Sequence, residues 1–215
     1  MTSAIRIALE SALDALNPIL PEVALAGVAV GAVALFTTVT PHGLRTGVPV
    51  RLVGLVGGTP ALTGLYTAVV LTATTFNLQN AATKANISVT IAGTGGTVRA
   101  VLSAYQNTLY QAPVGVPHQQ LNLMFFRPDE PTQGPGFYIE QGIFQVTLVY
   151  PLGIGLSAIL ERASVIRAGF KRGLTFANGG VTVTIPSTPE LGRFDNIADS
   201  IVLPVKIAFS AQIYN

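Results

Sequence analysis

The stretch Phe137 to Ile185, FYIEQGIFQVTLVYPLGIGLSAILERASVIRAGFKRGLTFANGGVTVTI, constrains this chain more than any other. Phe144, Val146, Leu148 and Tyr150 recur at period two, the pattern of a strand with one buried face, and Pro151 stops the run. Gly153 and Gly155 then open a segment whose apolar residues Leu156, Ile159, Leu160, Ala163, Ile166 and Phe170 fall at helical spacing. One stripe of that helix is expected on a sheet, with Glu161, Arg162, Arg167 and Lys171 facing away. Gly173 ends the helix, and Asn178-Gly179-Gly180 turns one short strand into the next. The residues alone imply an α+β layer.

Towards the amino terminus, Ile5, Leu9, Leu13 and Leu16 make a second helical stripe over Ser3 to Leu16, with Ser3 as cap and Asn17-Pro18 as stop. From about Ala24 to Leu102 the character changes to short β runs punctuated by Gly and Thr. The apolar run Val23 to Phe36 is shorter than the roughly 20 residues a spanning helix requires, and reads as a buried strand pair despite its Gly27-x-x-x-Gly31. It also starts too late, with no basic region before it, for an ordinary signal peptide, so a soluble protein not secreted by that route is expected. Beyond the β segment, Leu121, Leu123 and Phe125 mark another strand. Ile201, Leu203, Val205, Ile207 and Phe209 mark the last, where Pro204 predicts an edge position or a bulge.

Several of these residues carry a resemblance. The G-x-F-Q-V strand at Gly142 to Val146, the Tyr150-Pro151 stop and the Gly-x-Gly helix start resemble the tail terminator proteins of long-tailed bacteriophages. Phe170-Lys171-Arg172-Gly173 and Thr188-Pro189-Glu190 continue the likeness, which covers roughly residues 1–22 and 104–215. The segment between resembles a small β-barrel module inserted in phage structural proteins. That module is named for the catalytic cysteine half-domain of ubiquitin-activating enzymes, yet the chain has no cysteine. His42, Gly43, Gly47, Gly64, Tyr66 and Phe76 therefore read as structural, the glycines supplying turns. The implied architecture is α+β: an antiparallel sheet packed with an N-terminal helix and a second helix, plus an inserted all-β small barrel. Its domains would be 1–23 with 103–215, and 24–102.

Signatures of catalysis are absent from the sequence. It holds no P-loop, zinc-type His pair, nucleophile elbow or dinucleotide fingerprint, and Gly93-Thr94-Gly95-Gly96 lacks the spacing and the following helix. His42 sits in a turn, where an imidazole bonding the backbone is expected, and His118 reads as a surface or interface side chain. The carboxylates Asp129 and Glu130, and Asp195 and Asp199, do not converge as an acid–base pair or supply enough ligands for a metal. Asn86-Ile87-Ser88 matches a glycosylation sequon by chance. No catalytic residue, cofactor or metal site is expected.

Charge and composition point to assembly. Only 10% of residues are charged and 49% are hydrophobic, so such a chain would gain from burying surface against copies of itself. No Asp or Glu occurs between Glu22 and Asp129, a stretch carrying Arg45, Arg51, Lys84, Arg99 and Arg127. Scattered in sequence and without interleaved aromatics, these cations read as a solvated β surface rather than a nucleic-acid face.

The resemblance implies a homohexameric ring in the virion tail, capping the head-proximal end of the tail tube. Its partners would be the tail tube protein and a head–tail connector or stopper. DNA would pass through its lumen without sequence-specific binding, and no membrane would be involved. A ring needs two unlike complementary patches on each subunit. The candidates are the basic outer helix face (Arg162, Arg167, Lys171, Arg172) and the acidic loop Asp129 and Glu130, with Phe137 and Tyr138 as anchors. The Pro/Gly loop from Asp129 to Gly136 is expected to be mobile alone and ordered by a neighbour. Three other readings stay open: a tail tube or head–tail stopper subunit, told apart by its polymerisation; a carbohydrate-binding virion protein, for which the β segment offers Phe36, Tyr66 and Phe76; and a hydrolase, tested by an activity screen.

Overall fold

The computed structural model describes residues 2–16, 18–106, 110, 115–131 and 137–214. Its elements run α1 (Thr2–Asp14), β1 (Val23–Ala29), β2 (Leu35–Thr38), β3 (Pro49–Val53), β4 (Tyr66–Val70), β5 (Thr75–Asn80), β6 (Thr97–Ala100), β7 (Ser103–Ala104), β8 (His118–Phe125), β9 (Phe137–Pro151), α2 (Ser157–Gly169), β10 (Thr175–Asn178), β11 (Val181–Thr184), β12 (Glu190–Leu191), β13 (Asp195–Ile197) and β14 (Ser200–Tyr214). The class is α+β, as the sequence predicts. The chain divides into two compact units, one of Met1–Asn17, Ser103–Tyr110 and Pro117–Asn215, the other of Pro18–Leu102 and Gln111–Val116.

The second unit is a closed barrel of antiparallel strands in the order β1-β2-β5-β4-β3-β6. Alternation drives it: Val50 and Leu52 on β3, Ala68 on β4, Phe76 and Leu78 on β5, and Val98 on β6 all point inward. Phe36 and Phe76 stack at the centre with ring centroids 5.5 Å apart, and neither is exposed. His42 meets Phe76 edge-on at 5.5 Å, and its Nδ1 accepts the Leu44 amide at 3.0 Å. That is the backbone-bonding role expected of an imidazole in this turn.

In the first unit the sheet order is β10-β11-β14-β9-β8-β7, with β12 and β13 paired to β14 further along its outer side. Strands β9 and β14 have 15 residues each and pair along their whole length, Phe137 opposite Tyr214 and Pro151 opposite Ser200. Phe144, Val146, Leu148 and Tyr150 share a buried face with Leu203, Val205, Ile207 and Phe209. Gly142 lies between Phe125 and Phe209, whose rings meet edge-on at 5.7 Å. A Cβ at Gly142 would strike the Met124 carbonyl and come within 2.6 Å of Phe209 Cζ, so the G-x-F-Q-V glycine is a steric requirement. Helix α1 buries Ile5, Leu9 and Leu13 and packs on the β10–β11 hairpin. That hairpin turns on Gly179 and Gly180, both at positive φ.

Two expectations are corrected here. The buried face of α2 is Ile159, Arg162, Ala163 and Ile166, while Leu160 is 42% exposed. Leu160 and Arg162 therefore exchange the places that hydropathy alone assigns them. Arg162 is tolerated inside because its Nε and Nη2 both donate to Gln119 Oε1 at 3.3 and 3.0 Å, and Gln119 Nε2 donates to Ser103 Oγ at 2.8 Å. Pro204, for its part, lies on an interior strand. Its carbonyl accepts the Gly192 amide at 2.8 Å, so its missing donor points the same way, into the gap between β12 and β13 where no partner is needed.

Candidate functional site

The predicted contact residues fall at two places on the sheet unit. At one end of the β9–β14 ribbon, Asp129 forms an antiparallel bridge with Ile139: each backbone amide donates to the other's carbonyl, at 3.0 and 2.8 Å. This bridge sets Asp129 and the exposed Glu130 beside Phe137 and Tyr138, both half-buried. Phe137 packs on Tyr214 with centroids 5.8 Å apart, and Tyr214 is 68% exposed. Phe126, tied to β9 by its amide to the Gln141 carbonyl at 2.8 Å, is also exposed. The acidic pair and the aromatics thus form one cluster. Of the Asp129–Gly136 loop, residues 132–136 lie outside the described residues.

The basic residues sit elsewhere. Phe170 packs against Phe144 and Phe176, with centroids at 6.2 and 5.2 Å, which seats the end of α2 on the middle of β9 and the start of the hairpin. Arg167, Lys171 and Arg172 project from there, all exposed. Among the described residues no carboxylate lies within salt-bridge distance of any of the three. Arg162 does not join them, being buried as described above. From Phe144 back to Ile139 is five residues of extended strand, about 16 Å, so the acidic and basic groups do not meet within one subunit.

A third surface escaped the sequence reading. Leu152, Ile154 and Leu156 alternate with Gly153 and Gly155 in the turn before α2, and each is about half exposed, as is Leu160. The Leu152 amide donates to the Asp199 carbonyl at 3.0 Å, which brings this turn beside exposed Ile197. The signal was present: three large aliphatics in a turn whose glycines both hold positive φ have no helix or strand face to occupy.

Titration adds little chemistry. Burial pushes the Tyr110 hydroxyl up to about 12. Tyr150 is raised chiefly by burial, an effect opposed by Arg162 and reinforced by Glu161. Among the described residues no cluster of His, Cys, Asp or Glu could hold a metal ion, and no helix is long and apolar enough to cross a membrane.

The first unit is thus a sheet packed by two helices, with polar and aromatic clusters on its surface. The family model described as phage tail terminator protein matches residues 77–209, and the chain belongs to that family. Membership makes it a structural protein of the phage tail that contacts other tail or head proteins. One solved structure, whose name states no function, shares 22% identity with it over 54% of this chain and 82% of its own, with a TM-score of 0.43. No curated protein matches.

Proposed function

We propose that the protein closes into a homohexameric ring on the head-proximal end of the tail tube, where it ends tube polymerisation and presents the surface for head attachment. Its role is mechanical, not enzymatic. The observation that carries this beyond family membership is the pair of unlike surface clusters: exposed Asp129 and Glu130 with half-buried Phe137 and Tyr138 at the ribbon end, and exposed Arg167, Lys171 and Arg172 at the end of α2. They are separate on one subunit and opposite in charge, as a contact that closes head to tail requires. The tube protein on one face of the ring and a connector or stopper on the other would be its partners, with DNA passing through unread.

The barrel is read as an insertion in the tail-terminator-like domain. Its first and last strands are neighbours, Val23 opposite Val98 and Ala24 opposite Thr97, so the chain can leave and rejoin the parent fold at nearly one place. All three of its aromatics, Phe36, Tyr66 and Phe76, are buried, which removes the stacking platform a carbohydrate site would use.

The test is reversal of charge. Lys171→Glu with Arg172→Glu should leave the subunit folded and stop ring formation on tails, giving tubes of uncontrolled length. Adding Asp129→Lys and Glu130→Lys should restore rings. Images of wild-type tails with three-fold or five-fold symmetry at this position would sink the proposal.

A further inference from the structure

We infer that the outer face of β4, β3 and β6 on the barrel is a docking surface for the phosphate backbone of duplex nucleic acid. The cations that lie far apart in the sequence converge there. Arg51 and Arg99 are direct cross-strand partners on β3 and β6, and both point outward, since Val50, Leu52, Val98 and Ala100 around them point into the core. Lys84 reaches the same face from its loop, its Nζ donating to Thr67 Oγ1 at 3.3 Å, and Thr67 is the register partner of Pro49 on β3. Like charges set directly opposite on paired strands destabilise a sheet, which makes the Arg51–Arg99 pair a cost to the free barrel that a bound anion would relieve.

The one carboxylate of the barrel unit, Glu22, lies at the edge of this face, 3.5 Å from Arg99 Nη1, and accepts from Thr97 Oγ1 at 3.2 Å. It offsets part of the Arg99 charge and leaves Arg51 without an acidic partner among the described residues. Four basic residues against one acidic residue give the unit a formal charge of +3.

The chemistry of the face selects a phosphate polymer over a protein. Protein interfaces are anchored by aromatic and large apolar side chains and are depleted of charge at their centre. Here the outward positions are Pro49, Arg51, Val53, Val69, Thr97 and Arg99, with no aromatic among them, while Thr67 is buried and holds Lys84 in place. Guanidinium forks match phosphate oxygens, and the missing aromatics exclude the base stacking that holds single strands. Contacts of this kind carry no sequence information.

The measurement is binding of the full-length protein to a random-sequence 30-base-pair duplex by fluorescence anisotropy across a salt series. Three phosphate contacts predict a log–log slope of about −3 and roughly 40-fold weaker binding at 200 mM than at 50 mM salt. Arg51→Ala should reduce the slope by about 1, whereas Arg51→Lys should keep it. Arg51→Glu with Arg99→Glu should abolish binding at 50 mM, and Arg193→Glu on the other unit should leave it unchanged. Absence of binding by the wild type at 50 mM, equal loss from Arg193→Glu, or equal competition by polyglutamate at matched charge would each overturn the inference.

Discussion

The barrel closes on itself and the sheet does not, and that difference sorts the surfaces of the two units. Every barrel strand pairs on both sides, so the module has no edge to protect, and its three aromatics are buried. With one carboxylate against four cations, its outside is free to carry a charge bias. The sheet unit carries nine acidic residues against eight basic ones and leaves Phe126, Phe194, Tyr214 and the Leu152–Leu156 turn exposed. Both units expose aliphatic side chains, Val39, Val56 and Ile91 on the barrel among them, but among the described residues the exposed aromatics belong to the sheet unit, and aromatics are the material of protein contacts. Closure thus separates a module whose strands are all paired from one whose exposed aromatics suit contact with other proteins.

The strongest challenge to this comparison is to empty each core in turn. Phe76→Ala should cost about 3–5 kcal/mol and unfold the barrel while leaving the sheet intact. Phe144→Ala should cost a similar amount and do the reverse. Hydrogen exchange resolved by peptide distinguishes them, and loss of protection throughout the chain from either change would show that the units are one cooperative body.

A smaller and sharper difference concerns glycine. Gly142→Ala places a methyl group against the Met124 carbonyl and the Phe209 ring, neither free to withdraw, and should cost about 2–3 kcal/mol. Gly192→Ala, which meets the Pro204 ring at 2.5 Å, acts on the same sheet at the β12 turn and should cost less, since that strand has only two residues. Thermal melts of the two variants test the order.

Arg162 shows where the sequence stopped being legible. The strand through Phe144 to Tyr150, the helix after the Gly-x-Gly turn and the Asn178 hairpin were readable because period and turn chemistry agree. The side of α2 that faces the sheet was not, because hydropathy ranks Leu160 above Arg162 and cannot see Gln119, 43 residues away, waiting to accept two donors. Pro204 misled for a related reason: an orphan donor is harmless wherever the flanking strand is interrupted. Of the surface clusters, Asp129 with Phe137 and Tyr138 was legible as neighbours in sequence, whereas the clustering of Arg51, Arg99 and Lys84 needed strand order. Arg162→Ala should leave Gln119 without its donor in the core and cost about 2 kcal/mol, read by denaturant melts.

Alkaline pH acts on the sheet unit through Tyr110. Its hydroxyl ionises near 10 in the unfolded chain and at about 12 when folded, so the folded state holds the proton longer. The associated stability is complete below pH 10 and falls as pH rises towards about 12. Phenolate absorbance should show Tyr110 and Tyr150 titrating late, and Tyr110→Phe should remove the Tyr110 share of the stability loss over that window.

The smallest expected effect on the isolated subunit is at Leu160. A leucine packed in the core costs about 2–5 kcal/mol when truncated, yet Leu160 is 42% exposed and lies one turn beyond Leu156 on the uncovered side of α2. Leu160→Lys should therefore change subunit stability by no more than about 0.5 kcal/mol, even though the hydropathy pattern places this residue inside. Its consequence should appear only on assembly. A lysine beside Leu152, Ile154 and Leu156 puts a charge on an apolar turn that assembly would have to desolvate, so tails should carry the ring less often at equal subunit concentration. A destabilisation of 2 kcal/mol or more would return Leu160 to the core. An unchanged ring yield at unchanged stability would assign the turn to open solvent, and the contrast with the barrel would then rest on the aromatic ribbon end alone.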